Sequence, residues 1–264
     1  MEYKNRIADK LLRDKLEAMG AVLIEGPKAC GKTTTAEQQA KSIIYMDDPV
    51  KQEQYKQMAQ TNIRFLLEGE TPRLIDEWQH VPQFWDAIRF EVDHRDDDGQ
   101  FMLTGSAVPV DMKEIHHTGT GRYGWLTMRP MSLWESGEST GEVSLSDLFL
   151  TPDRIGALNK LTLPMLAFAA CRGGWPKSLQ KKTEKAALSQ VTEYYKAITN
   201  SDISRVDNVK RDEERAKRIM RSSFFSIPSP VSKRTKPFTA TVEQPVYFDR
   251  QIFEEFLYII LIKS

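Results

Sequence analysis

The chain has 264 residues, with 37 Lys and Arg against 37 Asp and Glu, so its formal charge is zero and nothing global argues for a nucleic-acid or membrane surface. The length suits one large domain or an α/β domain with a smaller second one, and 40% hydrophobic residues suffice for a core. Cys30 and Cys171, far apart and without a secretory leader, fit a reducing compartment, and the apolar run at 256–262 is far shorter than a membrane span, so a cytoplasmic chain without membrane attachment is expected.

Residues 7–19 place Ile7, Leu11, Leu12, Leu16 and Met19 on one stripe and predict an amphipathic helix ending at Gly20. The apolar run Ala21-Val22-Leu23-Ile24 predicts the first strand. After it, Gly26-Pro27-Lys28-Ala29-Cys30-Gly31-Lys32-Thr33 fits G-x-x-x-x-G-K-S/T at every fixed position. Residues 33–41 lack Gly and Pro and predict a helix, so the motif has the strand-loop-helix context it requires. Accidental occurrence in a chain of this length has a probability on the order of one per cent. Two glycines let the backbone wrap closely around polyphosphate oxygens, with the loop amides facing the negative charge. Lys32 would reach the β- and γ-phosphates, and Thr33 would place its hydroxyl on Mg²⁺. Pro27, Lys28, Ala29, Cys30 and Thr34 complete the positions expected around the nucleotide. Cys30 reads as a small filler, although a cysteine near a helix N-terminus is also a site where the thiol pKa falls.

Residues 42–46 predict a second strand ending in Asp47-Asp48-Pro49, followed by helical composition at 50–60 and 62–68 that closes at Gly69. Thr71-Pro72-Arg73-Leu74-Ile75-Asp76-Glu77-Trp78 is a short apolar strand ending in two carboxylates. By strand alternation the two point to opposite faces. Asp76 would then hold the Mg²⁺ shell beside Thr33, and Glu77 would polarise a water for attack on the γ-phosphate. Asp-Glu alone is a weak signal; it gains weight from the β-α-β order that brings the two strands together.

Residues 81–94 predict a helix with Phe84, Trp85, Ile88 and Phe90 inward and Asp86, Arg89, Glu91 and Asp93 outward. Asp96-Asp97-Asp98-Gly99 lacks the ligand spacing of a calcium loop and reads as a solvated turn. Residues 100–103 form another strand whose tip, Thr104-Gly105-Ser106, offers two hydroxyls for the γ-phosphate or the attacking water; Thr104 is the choice over Ser106. A short helical piece at 110–115 precedes the glycine-rich run 116–124. His116-His117 has no third ligand nearby in sequence, which argues against zinc. Arg122 can approach a phosphate from this loop. Residues 125–131 predict the last strand and its exit.

Together G-P-K-A-C-G-K-T-T, L-I-D-E-W, F-M-L-T-G-S, the T-G-R loop and M-R-P-M-S-L-W-E resemble the AAA-type ATPase module of bacterial and archaeal P-loop proteins that carry a C-terminal domain of unknown function. The likeness covers about residues 5–136 and continues through Arg172-Gly173-Gly174-Trp175-Pro176 and Tyr194-Tyr195 to Asp202-Ile203-Ser204. It implies an α/β fold with a parallel five-stranded sheet, the strand ending at Thr104 lying between those of the P-loop and Asp76. It further implies that Lys32 and Thr33 bind phosphate and magnesium, that Asp76 and Glu77 are the acidic pair, and that Thr104 is the polar sensor. Arg122 is the best match to an arginine finger, with Arg129 in reserve. In that family the nucleotide lies near a subunit boundary, which admits a homo-oligomer.

The expected organisation is an ATPase domain at 1–136, a linker at 137–162, a helical start of a C-terminal domain at 163–222, and an irregular, poorly ordered tail at 223–264. The tail departs from the family pattern, with Pro228, Pro230, Pro237 and Pro245 among serines, threonines and aromatics. Residues 205–236 hold ten Lys and Arg against four Asp and Glu, an excess able to face nucleic acid, although a solvated helix with a basic segment is the simpler reading. The expected function is Mg-dependent hydrolysis of ATP, coupled to an unknown protein client through the C-terminal domain. The alternative is a nucleotide-gated interaction protein or nucleic-acid-associated regulator with little turnover. A small-molecule kinase is disfavoured because the acidic pair suits activating water.

Overall fold

The computed structural model describes residues 3–95, 97–105, 118–151, 156, 158 and 160–199. Five strands alternate with helices in the first part: α1 (Ile7–Leu16), β1 (Ala21–Glu25), α2 (Lys32–Glu37), β2 (Ser42–Tyr45), α3 (Gln52–Asn62), α4 (Arg64–Leu67) and β3 (Arg73–Asp76). A short 3₁₀ turn (Trp78–His80), α5 (Phe84–Arg95), β4 (Phe101–Thr104), β5 (Tyr123–Thr127), α6 (Leu133–Ser136) and α7 (Leu145–Leu150) follow. The strands form one sheet in the order β2-β3-β4-β1-β5, and every pairing is parallel. β4 lies between β1 and β3, as the family resemblance implied.

A parallel sheet covered on both faces needs largely apolar strands; the inner strands β1, β3 and β4 meet this over most of their length, whereas the edge strands β2 and β5 are partly exposed. Val22, Ile24, Leu74, Ile75, Phe101, Met102 and Leu103 are fully buried. One face packs on α5 through Phe84, Trp85 and Ile88, with Leu66 and Leu67 of α4 closing the same cluster. Trp85 stacks on Tyr123 with ring centroids 4.0 Å apart, and the Tyr123 hydroxyl donates to the Trp85 carbonyl at 2.7 Å.

Several elements differ from the sequence reading. The buried face of α1 is Ala8, Asp9, Leu12 and Leu16, whereas Ile7 and Leu11 are exposed, so the stripe runs one position later than predicted. Phe90 of α5 is exposed rather than inward; Arg64 lies over its ring and His94 stacks on it. β5 begins at Tyr123, inside the run assigned to a glycine-rich loop. The stretch 137–162 expected to be a linker contains α7.

The chain divides into two compact units, 1–157 and 158–264. In the second, Thr162 caps α8 (Leu163–Arg172) and Thr183 caps α10 (Glu184–Ala197), each hydroxyl accepting from the backbone N–H three residues on. α9 (Pro176–Leu179) lies between them, and Trp175 packs on Tyr194 at 4.5 Å. Ser106, the helical piece at 110–115, His116-His117, the motif at 202–204, the basic run 205–236 and the tail 223–264 lie outside the described residues.

Candidate nucleotide site

All five strands are parallel, so their C-terminal ends share one edge. Ile24 is level with Thr104, Thr104 with Asp76, and Asp76 with Tyr45. The P-loop leaves β1 one residue past Glu25, at the place where the strand order reverses direction along the chain. Open α/β sheets bind ligands at such a switch point.

The loop is curled by left-handed backbone at Gly26 (φ 154°), Ala29 (φ 61°) and Gly31 (φ 103°). A Cβ on Gly26 would stand 2.1 Å from the Met128 carbonyl oxygen, so glycine is required there by both torsion and space. Lys32 is buried and its ammonium donates to the carbonyls of Gly26 (3.0 Å) and Pro27 (3.1 Å), which folds the side chain back across the loop. Lys28, Ala29 and Thr34 are exposed on the rim, and Pro27 is half-buried. Cys30 is fully buried, and burial raises its thiol pKa against the opposing pull of Lys32 and Arg6. The filler role therefore holds, and the lowered-pKa alternative is corrected: the thiol lacks both the exposure and the thiolate character of a reactive cysteine.

Asp76 is where the elements meet. Its Oδ1 accepts from the Thr33 hydroxyl at 2.7 Å and also from the Thr104 hydroxyl. The helix that follows the loop, β3 and β4 are thus tied through one carboxylate oxygen. Burial raises the Asp76 pKa, opposed by the two hydroxyl donors, with the neighbouring charges of Glu77 and Asp47 adding to the rise. Among the described residues no group of three or more His, Cys, Asp or Glu could hold a metal ion. Mg²⁺ does not require such a cage, because it keeps waters and takes one or two protein oxygens besides phosphate, so Thr33 and Asp76 fit it.

Glu77 corrects the strand-alternation argument. β3 ends at Asp76, and Glu77 sits in the left-handed region (φ 53°, ψ 45°), heading the 3₁₀ turn. Its carboxylate is turned by a backbone kink rather than by the pleat, and it accepts from the Gln79 side-chain amide. A non-glycine residue in this conformation costs on the order of 1–2 kcal/mol, a strain found where surrounding structure fixes a functional side chain. Nothing in the residue types announces it.

Arg122 lies at the other edge of the sheet. Its carbonyl accepts from Ala21 N–H at the start of β1, so the length of a strand separates it from its own P-loop. The guanidinium bonds to Asp93 at 2.7 Å, and the side chain is 44% exposed. Arg129, by contrast, follows β5 at the P-loop edge and is exposed. Sequence reasoning missed Arg6 and Glu135, which form a buried ion pair beside the loop; their separation of 129 positions leaves no local pattern to find.

Residues 19–136 match a family model described as an AAA domain. No curated protein matches the chain. Among solved structures, the Walker-type ATPase PABY2304 of Pyrococcus abyssi aligns with a TM-score of 0.48 and 13% identity, covering 85% of this chain and 80% of that one. PCH-2 of C. elegans aligns with a TM-score of 0.29 and 15% identity, covering 80% of this chain and 66% of that one. The family match covers the span from the approach to β1 to the end of α6, and the five parallel strands over those residues have a P-loop α/β fold.

Proposed function

We propose that this chain binds Mg-ATP at the C-terminal edge of its sheet and hydrolyses it to ADP and phosphate. The observation that carries the reading is the convergence of Thr33 and Thr104 on one oxygen of Asp76. Loop amides and Lys32 would hold the phosphates, and Thr33 and Asp76 would hold Mg²⁺. When bound, the ion neutralises charge on the β- and γ-phosphoryl oxygens. Glu77, brought to the strand tip by its left-handed turn, would take a proton from the attacking water, and Thr104 would orient that water or the γ-phosphate. Arg122, remote from its own loop, would act on a neighbouring protomer of a homo-oligomer.

The contact between Glu77 and Gln79 favours a second reading, because an amide donating to one carboxylate oxygen competes with water for it and lowers its basicity. On that reading the chain is a nucleotide-gated interaction protein with little turnover. Nucleic-acid binding through 205–236 and a protein client engaged beyond residue 163 belong with either reading, as does a cytoplasmic location. Among the described residues no helix is long and apolar enough to cross a membrane.

Calorimetry and steady-state phosphate release test the proposal together. Lys32→Ala should abolish Mg-ATP binding, since its ammonium is the full positive charge placed against the phosphates. Glu77→Gln should keep binding and lose about 10²-fold or more in turnover. Equal affinity in the Lys32 variant would refute the site, and phosphate release no faster than Glu77→Gln in the parent would establish the second reading.

A further inference from the structure

The Arg6 guanidinium is buried and spreads its three nitrogens over three separate segments. Nε donates to Glu135 Oε1 at 3.0 Å, Nη1 to the Cys30 carbonyl at 2.9 Å, and Nη2 to the Arg129 carbonyl at 2.7 Å. Both side chains of the ion pair are 5% exposed. Taking two charges out of water is costly unless every donor and acceptor is used. Here each nitrogen of the guanidinium and each oxygen of the carboxylate has a partner. Glu135 also accepts from the Ile7 N–H at 2.8 Å and the Ser132 N–H at 2.7 Å. The same N-terminal segment reaches the loop helix by a second route: Asp9 accepts from Arg6 N–H at 2.7 Å and from the Tyr3 hydroxyl at 2.5 Å, and that hydroxyl lies 3.0 Å from Thr35 Oγ1.

We infer that Arg6, locked by Glu135, is a positioning residue for the phosphate loop. The Cys30-Gly31 peptide joins the loop to the start of α2. A planar trans peptide sends its carbonyl and its N–H in opposite directions, so holding the Cys30 carbonyl on Arg6 turns the Gly31 N–H away from Arg6. Phosphate loops bind through such amides, and their aim sets the affinity. Arg6 therefore fixes one donor of the cradle from behind and anchors it to the exit of β5 and to the capping box of α6. A lysine cannot replace it: one ammonium on a flexible stem does not reproduce a planar fork reaching three acceptors on three segments.

The nucleotide part of this inference rests on the proposed ATP site, and the test separates the two. Arg6→Lys and Tyr3→Phe are compared with the parent by circular dichroism, by Mg-ATP calorimetry and by amide hydrogen exchange without nucleotide. Arg6→Lys is expected to weaken Mg-ATP about 10-fold or more and to speed exchange over 26–35 by a similar factor, with 73–76 and 101–104 unchanged. Tyr3→Phe, which removes one hydroxyl from a half-buried ring, is expected to show the same pattern at about 3-fold over 32–37. If the parent binds no nucleotide, the ATPase reading fails while exchange still decides the clamp. If Arg6→Lys does not fold, Tyr3→Phe decides alone. Folded variants whose loop exchanges at the parent rate overturn the inference, as does acceleration spread evenly over all strands.

Discussion

Burial holds the Asp76 carboxylate above its ordinary range even though two hydroxyls donate to it. The sign of its contribution follows. With its folded pKa above the unfolded value, the native state binds the proton more readily, so stability declines as pH rises from the ordinary 3.8 through the folded pKa, and stays lower above it. Asp76→Asn preserves an Oδ1 that accepts both hydroxyls and removes the buried charge. The nucleotide-free variant should therefore melt higher than the parent at neutral pH, by about 2–4 °C for each kcal/mol recovered, and the gain should vanish below the ordinary carboxylate pKa. Its Mg²⁺-dependent turnover should be lost. Scanning calorimetry at two pH values decides it, and a lower melting temperature at neutral pH would show that the carboxylate stabilises the empty site. Asp76 was legible because it ends an apolar strand. The posture of Glu77 was not, because a left-handed torsion at a glutamate is imposed by what packs around it and leaves no trace in residue type.

The strands were legible for the same physical reason throughout: a strand buried on both faces must be a short apolar run, and β1, β3 and β4 are such runs between polar breaks. β5 was read late because Gly124 made its first turn look like loop, yet a Cβ there would press on the Met19 side chain at 3.2 Å, so the glycine serves close packing within a strand. α1 was misphased because Ala8, a small residue, sits on the inward face while Ile7 and Leu11 face out. The start of β5 also offers a test of how separable fold and site are. Burial pushes the Tyr123 phenol well above its ordinary pKa and keeps it a neutral donor to the Trp85 carbonyl. Tyr123→Phe removes this buried hydrogen bond and should cost about 0.5–1.5 kcal/mol. Because Tyr123 lies at the edge opposite the P-loop, Mg-ATP affinity should stay at the parent value. Urea denaturation with calorimetry on the same samples checks both, and a change in affinity without a change in stability would contradict this separation.

On the proposed function, two parts of one chemistry lie at opposite ends of the sheet. The P-loop, Asp76 and Thr104 occupy the C-terminal edge of the sheet, while Arg122 projects at the N-terminal edge, a strand's length away. Within one subunit Arg122 cannot reach its own γ-phosphate, so a catalytic role requires a second copy that presents this edge to the first copy's loop. Its pairing with Asp93 is the competing account: a 44% exposed arginine bonded to a surface carboxylate, a contact that water and salt screen. That pairing lowers the Asp93 pKa, with the Arg122 hydrogen bond as the leading cause, yet leaves the guanidinium accessible. An arginine acting in trans on a transferring phosphoryl group contributes about 10³-fold or more in rate. The two accounts separate when Arg122→Ala and Glu77→Gln proteins are mixed. Each parent is inactive on the in-trans reading, one for want of the arginine and the other for want of the base, but a mixed assembly contains interfaces with an intact Glu77 facing an intact Arg122. Phosphate release should rise above the sum of the separate variants and peak near equal amounts, in samples shown by light scattering to contain mixed oligomers. Activity that stays at the sum in such samples would leave Arg122 as the partner of Asp93 alone.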